Sequence, residues 1–157
     1  VQIACQKGVQ ALVHNLNAAP LPYEDQYFDL VSMLSVIQYF YDPGEALQEV
    51  NRVLKPSGAL LLAAPNMRTY WRIGKLALLG TFPRTSLDSV GYDGGTLHYF
   101  CLRDLVNLLE EAGFQSIDVV GSRCLPGFVS HLTDKWVIGA LKRELFCAEL
   151  MVYARKG

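Results

Sequence analysis

Two nearly continuous apolar runs constrain this chain most. Phe28-Asp29-Leu30-Val31-Ser32-Met33 and Ala59-Leu60-Leu61-Leu62-Ala63-Ala64 each read as a strand buried on both faces, the pattern of a covered parallel sheet. Between them lies a helix with signals at both ends. Asp42 is placed to N-cap, Pro43 occupies the first helical position, and Glu45 completes a capping-box pattern. Ala46, Leu47, Val50, Val53 and Leu54 recur on one face, and Lys55-Pro56-Ser57-Gly58 stops the helix. Strand, capped helix, turn and strand make one βαβ unit, whose crossover is right-handed.

Around this unit the pattern predicts further elements. Val9–Leu16 reads as a short strand, and Leu16–Asp25 as a loop, because Pro20 and Pro22 forbid regular pairing. Met67–Leu79 reads as an apolar helix ended by Gly80, and Thr81–Thr96 as a loop. Leu102–Ala112 is amphipathic, with Gly113 set for the left-handed residue after it and Phe114 packing back on its last turn. Ser116–Val120 reads as a strand, His131–Arg143 as a helix, and Cys147–Ala154 as a final strand. The alternation predicts an α/β, doubly wound, Rossmann-like fold with a mostly parallel sheet and an antiparallel C-terminal strand.

Composition excludes several classes. The 157 residues are one domain's worth, and 51% hydrophobic content excludes a disordered chain. Fourteen Lys+Arg against fifteen Asp+Glu leave no basic field for nucleic acid. The longest clean apolar runs are six residues, far below the ~20 that span a bilayer, so no membrane partner is expected. Cys5, Cys101, Cys124 and Cys147 form no C-x-x-C pair. They read as reduced thiols of a cytoplasmic protein rather than as a zinc site or a disulfide scaffold. No P-loop, G-x-S-x-G or H-E-x-x-H supports an unrelated small α/β enzyme.

One ordered set of motifs resembles a known family. Leu21-Pro22-Tyr23 leads into Phe28-Asp29-Leu30-Val31; Asp42-Pro43 follows, then Arg52-Val53-Leu54-Lys55-Pro56-Ser57-Gly58, then Pro65-Asn66. His98-Tyr99-Phe100, Asp104-Leu105 and Ala112-Gly113-Phe114 complete the series. This resembles the class I S-adenosylmethionine-dependent methyltransferases of the methyltransferase-11 type. Ser57 stands where that family has the first glycine of "P-G-G".

The resemblance implies S-adenosylmethionine as cofactor and a small-molecule methyl acceptor. It places Asn15, in place of an acidic residue, on the adenine amino group, with Leu16 flanking the ring. Leu34 and Ser35 would line the methionine end. The family's "L-E-H" reads Ile37-Gln38-Tyr39, so its ionisable pair is absent. Tyr39, Asn66 and Tyr70 would line the acceptor pocket. His98 is the best titratable candidate for a catalytic base, needed only where the acceptor must lose a proton; a loop histidine that bonds locally is the competing reading.

The family's Gly-rich turn and the acidic residue that holds the ribose have no counterpart: among 13 glycines there is no G-x-G. The chain opens Val1-Gln2-Ile3-Ala4, without Met. Residues 1–157 are therefore expected to be the C-terminal portion of such a domain, lacking the family's N-terminal strands, about 50 residues by the size of a βαβ unit and its lead-in. On that reading the chain alone is inactive and does not bind the cofactor. The alternative is a binding or scaffolding module that dimerises through an exposed sheet edge.

Overall fold

The computed structural model describes residues 1–86, 91–123 and 144–157. The elements are α1 (Gln2–Gln6), β1 (Phe28–Leu34), α2 (Pro43–Val53), β2 (Leu54–Pro65), α3 (Tyr70–Leu79), α4 (Leu102–Glu111), β3 (Phe114–Arg123) and β4 (Cys147–Lys156). The predicted helix at 131–143 and Cys124 lie outside the described residues.

The βαβ unit forms as its residues dictate. Asp42 Oδ1 accepts the Glu45 N–H at 3.0 Å, and Pro43 opens α2. Leu47, Val50 and Val53 turn inward, packing α2 against the sheet. β1 and β2 pair in parallel, Leu30 opposite Ala59 through Leu34 opposite Ala63. The sheet order is β1-β2-β4-β3, with β4 antiparallel to both neighbours. Three strands thus point one way and the C-terminal strand opposes them, as the alternation predicts. The core gathers Met33, Ile37, Phe40, Leu60, Leu62, Leu105, Leu109, Phe114 and Val152.

Lys55–Gly58, expected as a stop before the strand, forms an irregular opening stretch of β2 where its pairing with β1 shifts register. Ser57 carries φ 61°, the left-handed region that favours glycine. Gly58 is required for space, because a Cβ there would stand 2.8 Å from the Lys55 carbonyl oxygen and 3.3 Å from that of Asp29. Gly113 takes φ 86° after α4, as expected.

Three expectations fail. β1 is not buried on both faces: with no strand beyond its outer edge among the described residues, Leu30 and Leu34 stay exposed. Val9–Leu16 form no strand: no other strand lies alongside them among the described residues, and Val9, Leu12, Val13 and Leu16 are exposed. A β-strand without a neighbour leaves its backbone groups to water. The helix expected from Met67 starts at Tyr70 instead. Asn66 Oδ1 accepts the Arg68 N–H at 3.0 Å and Thr69 Oγ donates to the Asn66 carbonyl at 2.8 Å, which holds residues 66–69 in a turn.

Candidate functional site

β1 and β2 end side by side, and ligands of open α/β sheets bind at that carboxyl end. The chain leaves β1 through Ser35, which has φ 53°. That conformation disfavours a serine by roughly 1–2 kcal/mol. Three bonds hold it. Ser35 N–H donates to the Ala63 carbonyl at 2.9 Å, Gln38 Nε2 donates to the Ser35 carbonyl at 2.9 Å, and Ser35 Oγ donates to Glu149 Oε1 at 3.2 Å. Leu34 precedes it, half exposed at the strand end.

A 3-10 turn, Ile37–Tyr39, follows with Ile37 and Gln38 buried. It anchors the segment that carries His98: the Leu97 and His98 N–H groups donate to the Gln38 carbonyl at 2.9 and 3.1 Å. His98 Nε2 lies 3.3 Å from the Tyr41 carbonyl oxygen. A carbonyl only accepts, so Nε2 carries the proton and a neutral His98 keeps its lone pair on Nδ1.

A cavity of about 650 Å³ opens along β1 and α2, walled by Leu16, Asn17, Met33, Tyr41, Glu45 and Val50 among others. Asn17 is the residue sequence reasoning missed. Its Oδ1 accepts the Tyr41 N–H at 2.8 Å and its Nδ2 reaches the Tyr39 carbonyl at 3.5 Å. Asn15 instead accepts the Asn17 N–H at 3.1 Å, a local turn that sets Asn17 against the cavity. The Asn-x-Asn spacing was the available signal. Tyr41's backbone therefore joins Asn17 on one side to His98 on the other.

The loop before β1 is fixed by Arg52. Its guanidinium donates to Asp25 Oδ1 at 2.6 Å, to Glu49 Oε1 at 2.7 Å, and to the Tyr23 carbonyl at 2.9 Å. Glu49 Oε1 also accepts the Leu21 N–H at 2.7 Å. The hydrogen bond from Arg52 holds the Glu49 carboxyl below its ordinary pKa, against the opposing pull of burial. The two carboxylates push Arg52 upward in turn.

Other predicted residues lie at the end of β2. Asn66 is fully buried, and its Nδ2 donates to the carbonyls of Glu144 and Cys147 at 2.5 and 2.9 Å. Its side chain thus ties the start of β4 to the end of β2. Tyr70 lies half exposed on α3 with its ring 5.4 Å from that of Phe146. Glu149, one register position beyond Ser35's neighbourhood and opposite Pro65, adds a carboxylate that the sequence pattern did not single out.

Asp93 staples the loop that precedes His98. Its buried carboxylate accepts the N–H groups of Thr85 (2.7 Å) and Ser86 (2.8 Å) and the hydroxyls of Thr85 (2.8 Å) and Tyr99 (3.1 Å). Burial acts to raise its pKa, but these donors outweigh it and hold the carboxyl below its ordinary value. Burial, and then Asp93, push Tyr99 up to about 12. Among the described residues no group of three or more His, Cys, Asp or Glu is placed to hold a metal ion.

Residues 1–62 match the family model described as "Methyltransferase domain". A probable S-adenosylmethionine-dependent methyltransferase of Mycolicibacterium smegmatis is 31% identical over 105 residues, which is 67% of this chain and 35% of that protein. The ubiquinone/menaquinone biosynthesis C-methyltransferase UbiE of Bartonella tribocorum is 29% identical over 149 residues, 87% of this chain and 56% of that protein. The chain thus spans only about a third to a half of these curated relatives. A solved S-adenosylmethionine-dependent methyltransferase of Thermotoga maritima, described as a possible histamine N-methyltransferase, shares the fold. Its TM-score is 0.67 at 21% identity, over 99% of this chain and 68% of that one.

Proposed function

The chain belongs to the class I S-adenosylmethionine-dependent methyltransferases, and on that premise we propose that residues 1–157 form the acceptor-side portion of a domain that methylates a small organic molecule. The family's cofactor is S-adenosylmethionine, whose sulfonium supplies an electrophilic methyl group. The protein's task is to hold donor and acceptor in line within a dry pocket.

The described residues suit part of such a cofactor. The apolar walls and the Asn17 amide of the 650 Å³ cavity match a purine with a polar edge. In this reading Leu16 flanks the ring, and Asn17 takes the hydrogen-bonding role expected of Asn15. Leu34 and Ser35 face the methionine end. Tyr39 and Tyr70 border the acceptor, and Asn66 shapes its floor through the backbone of Cys147. His98 takes the acceptor's proton at Nδ1 when one must be lost. The UbiE relative's name, a C-methyltransferase of quinone biosynthesis, supports an organic acceptor. A reducing, cytoplasmic setting suits the free thiols Cys5 and Cys101.

The free edge of β1 carries the portion reading. Among the described residues β1 pairs with β2 alone, and Leu30 and Leu34 are 57% and 53% exposed. An apolar strand open on one side, beside a cavity, is a seat for a further strand. Calorimetric titration of this chain with S-adenosylmethionine is expected to show no binding in the micromolar range. Micromolar binding would refute the portion reading. Codons for a G-x-G-x-G turn upstream of Val1 in the source gene would support it. The same free edge supports a second reading, a module that self-associates through β1 without catalysis. Sedimentation velocity separates the two: a concentration-dependent dimer favours the module, and a strict monomer counts against it.

A further inference from the structure

Gln38 is 3% exposed, yet its side-chain oxygen has no hydrogen-bond donor. Native interiors leave very few polar atoms in that state. The orientation of the amide is not arbitrary. Nε2 donates to the Ser35 carbonyl at 2.9 Å, and turning the amide over would set two oxygens against each other. The Gln38 backbone carbonyl, by contrast, is doubly used, accepting from both Leu97 and His98. Gln38 thus links the strained Ser35 at the end of β1, through its side chain, to the His98 segment, through its backbone. Nearby in sequence, Ile37 and Phe40 belong to the buried apolar core.

We infer that the Gln38 side-chain oxygen is a specificity determinant that accepts a hydrogen bond from a neutral N–H or O–H donor on the molecule bound beside His98. This deepens the acceptor-side reading and rests on it for the ligand's identity as methyl acceptor. The chemistry follows from the residue. An amide cannot take the acceptor's proton, so Gln38 selects by hydrogen bonding and leaves proton removal to another group. Where a site is built to receive a donor, an analogue lacking it leaves a buried group unpaired and is rejected. The Leu97–His98 segment lies over Gln38, and Gly94 and Gly95 precede it with φ 65° and 78°. That segment must lift for a ligand to reach the oxygen.

Phenol and anisole test this, because they are of similar shape and only phenol donates. With the full chain, NMR titration following the Gln38 side-chain amide is expected to show phenol binding about tenfold more tightly than anisole, the worth of one good hydrogen bond. Gln38→Met keeps the length and removes the oxygen. It is expected to bind both probes equally and to melt within about 2 °C of the wild type, because one bond and one orphan vanish together. Equal binding of the two probes by the wild type would overturn the inference. So would discrimination that survives in Gln38→Met, or a fall of many degrees in its melting point, which would mean that an ordered water already satisfies the oxygen. No cofactor is needed in this experiment. Failure to bind S-adenosylmethionine would therefore bear on the proposed function and leave this result to stand or fall separately.

Discussion

Replacing Ser57 with glycine should make the protein more stable, and the structure sets the size of the gain. Ser57 sits at φ 61° in the irregular opening stretch of β2, just after α2, exposed and without a side-chain hydrogen bond among those described. Holding a non-glycine residue in that region costs roughly 1–2 kcal/mol. Glycine removes that strain but returns about 0.4–1 kcal/mol of freedom to the unfolded chain. The net expectation is a gain of about 0.5–1 kcal/mol, or roughly 1–4 °C in melting temperature for a chain of this size. Urea unfolding should show a raised midpoint with an unchanged slope. The neighbouring position supplies the control. Gly58→Ala puts a Cβ 2.8 Å from the Lys55 carbonyl and 3.2 Å from Leu54 Cδ2, atoms that cannot retreat cheaply, so it should destabilise by more than 1 kcal/mol. A Ser57→Gly variant with a lowered midpoint would refute the strain argument, and a harmless Gly58→Ala would refute the packing argument.

Asp93→Asn should loosen the 85–96 loop and cost about 1–3 kcal/mol, because charge-assisted bonds to Thr85 and Ser86 weaken; faster hydrogen exchange at those two amides checks it. The folded-state pKa values of Asp93 and Glu49 are both lowered, so their contributions are complete above the ordinary carboxylate range and fade as pH falls through the depressed folded values. Acid titration of stability should therefore show loss concentrated below about pH 4, and shrink in Asp93→Asn. Arg52→Met should free residues 21–25 from α2, read as faster proteolysis near Tyr23, with no change in the Tyr99 environment. An alkaline absorbance titration should find one tyrosine, Tyr99, ionising last, near 12.

The elements that packing dictates were legible in the sequence. The runs at 28–33 and 59–64 announce strands, although only the second is covered on both faces, and Asp42-Pro43 and Gly113 mark helix ends by chemistry that acts within a few residues. Val9–Leu16 were misread because alternating apolar residues specify a strand only where a partner edge exists, and none adjoins them among the described residues. The site was legible in outline alone. Ser35 and His98 could be singled out by motif order, but Asn17 against the cavity depends on an Asx turn at Asn15, and Glu149 arrives from the far end of the chain through the register of β4 on β2. Nothing local to Gln38 announces that its oxygen is left over; that follows from counting donors in three dimensions.

The position of β4 has a consequence for how the polypeptide comes together. It is the last strand in order, yet it lies inside the sheet, pairing β2 on one side and β3 on the other. During synthesis the βαβ unit can close early, by local contacts, while β3 waits with no edge to join. Lys156 then reaches across to the carbonyls of Asn51 and Leu54, at 2.7 and 2.9 Å, at the end of α2. Completion of the sheet by β4 is therefore a late event that spans long sequence separations, and such contacts form slowly. A ribosome stalled before Cys147 would hold the β1–β2 pair and an unpaired β3, with open edges that invite aggregation and that a chaperone would be expected to meet.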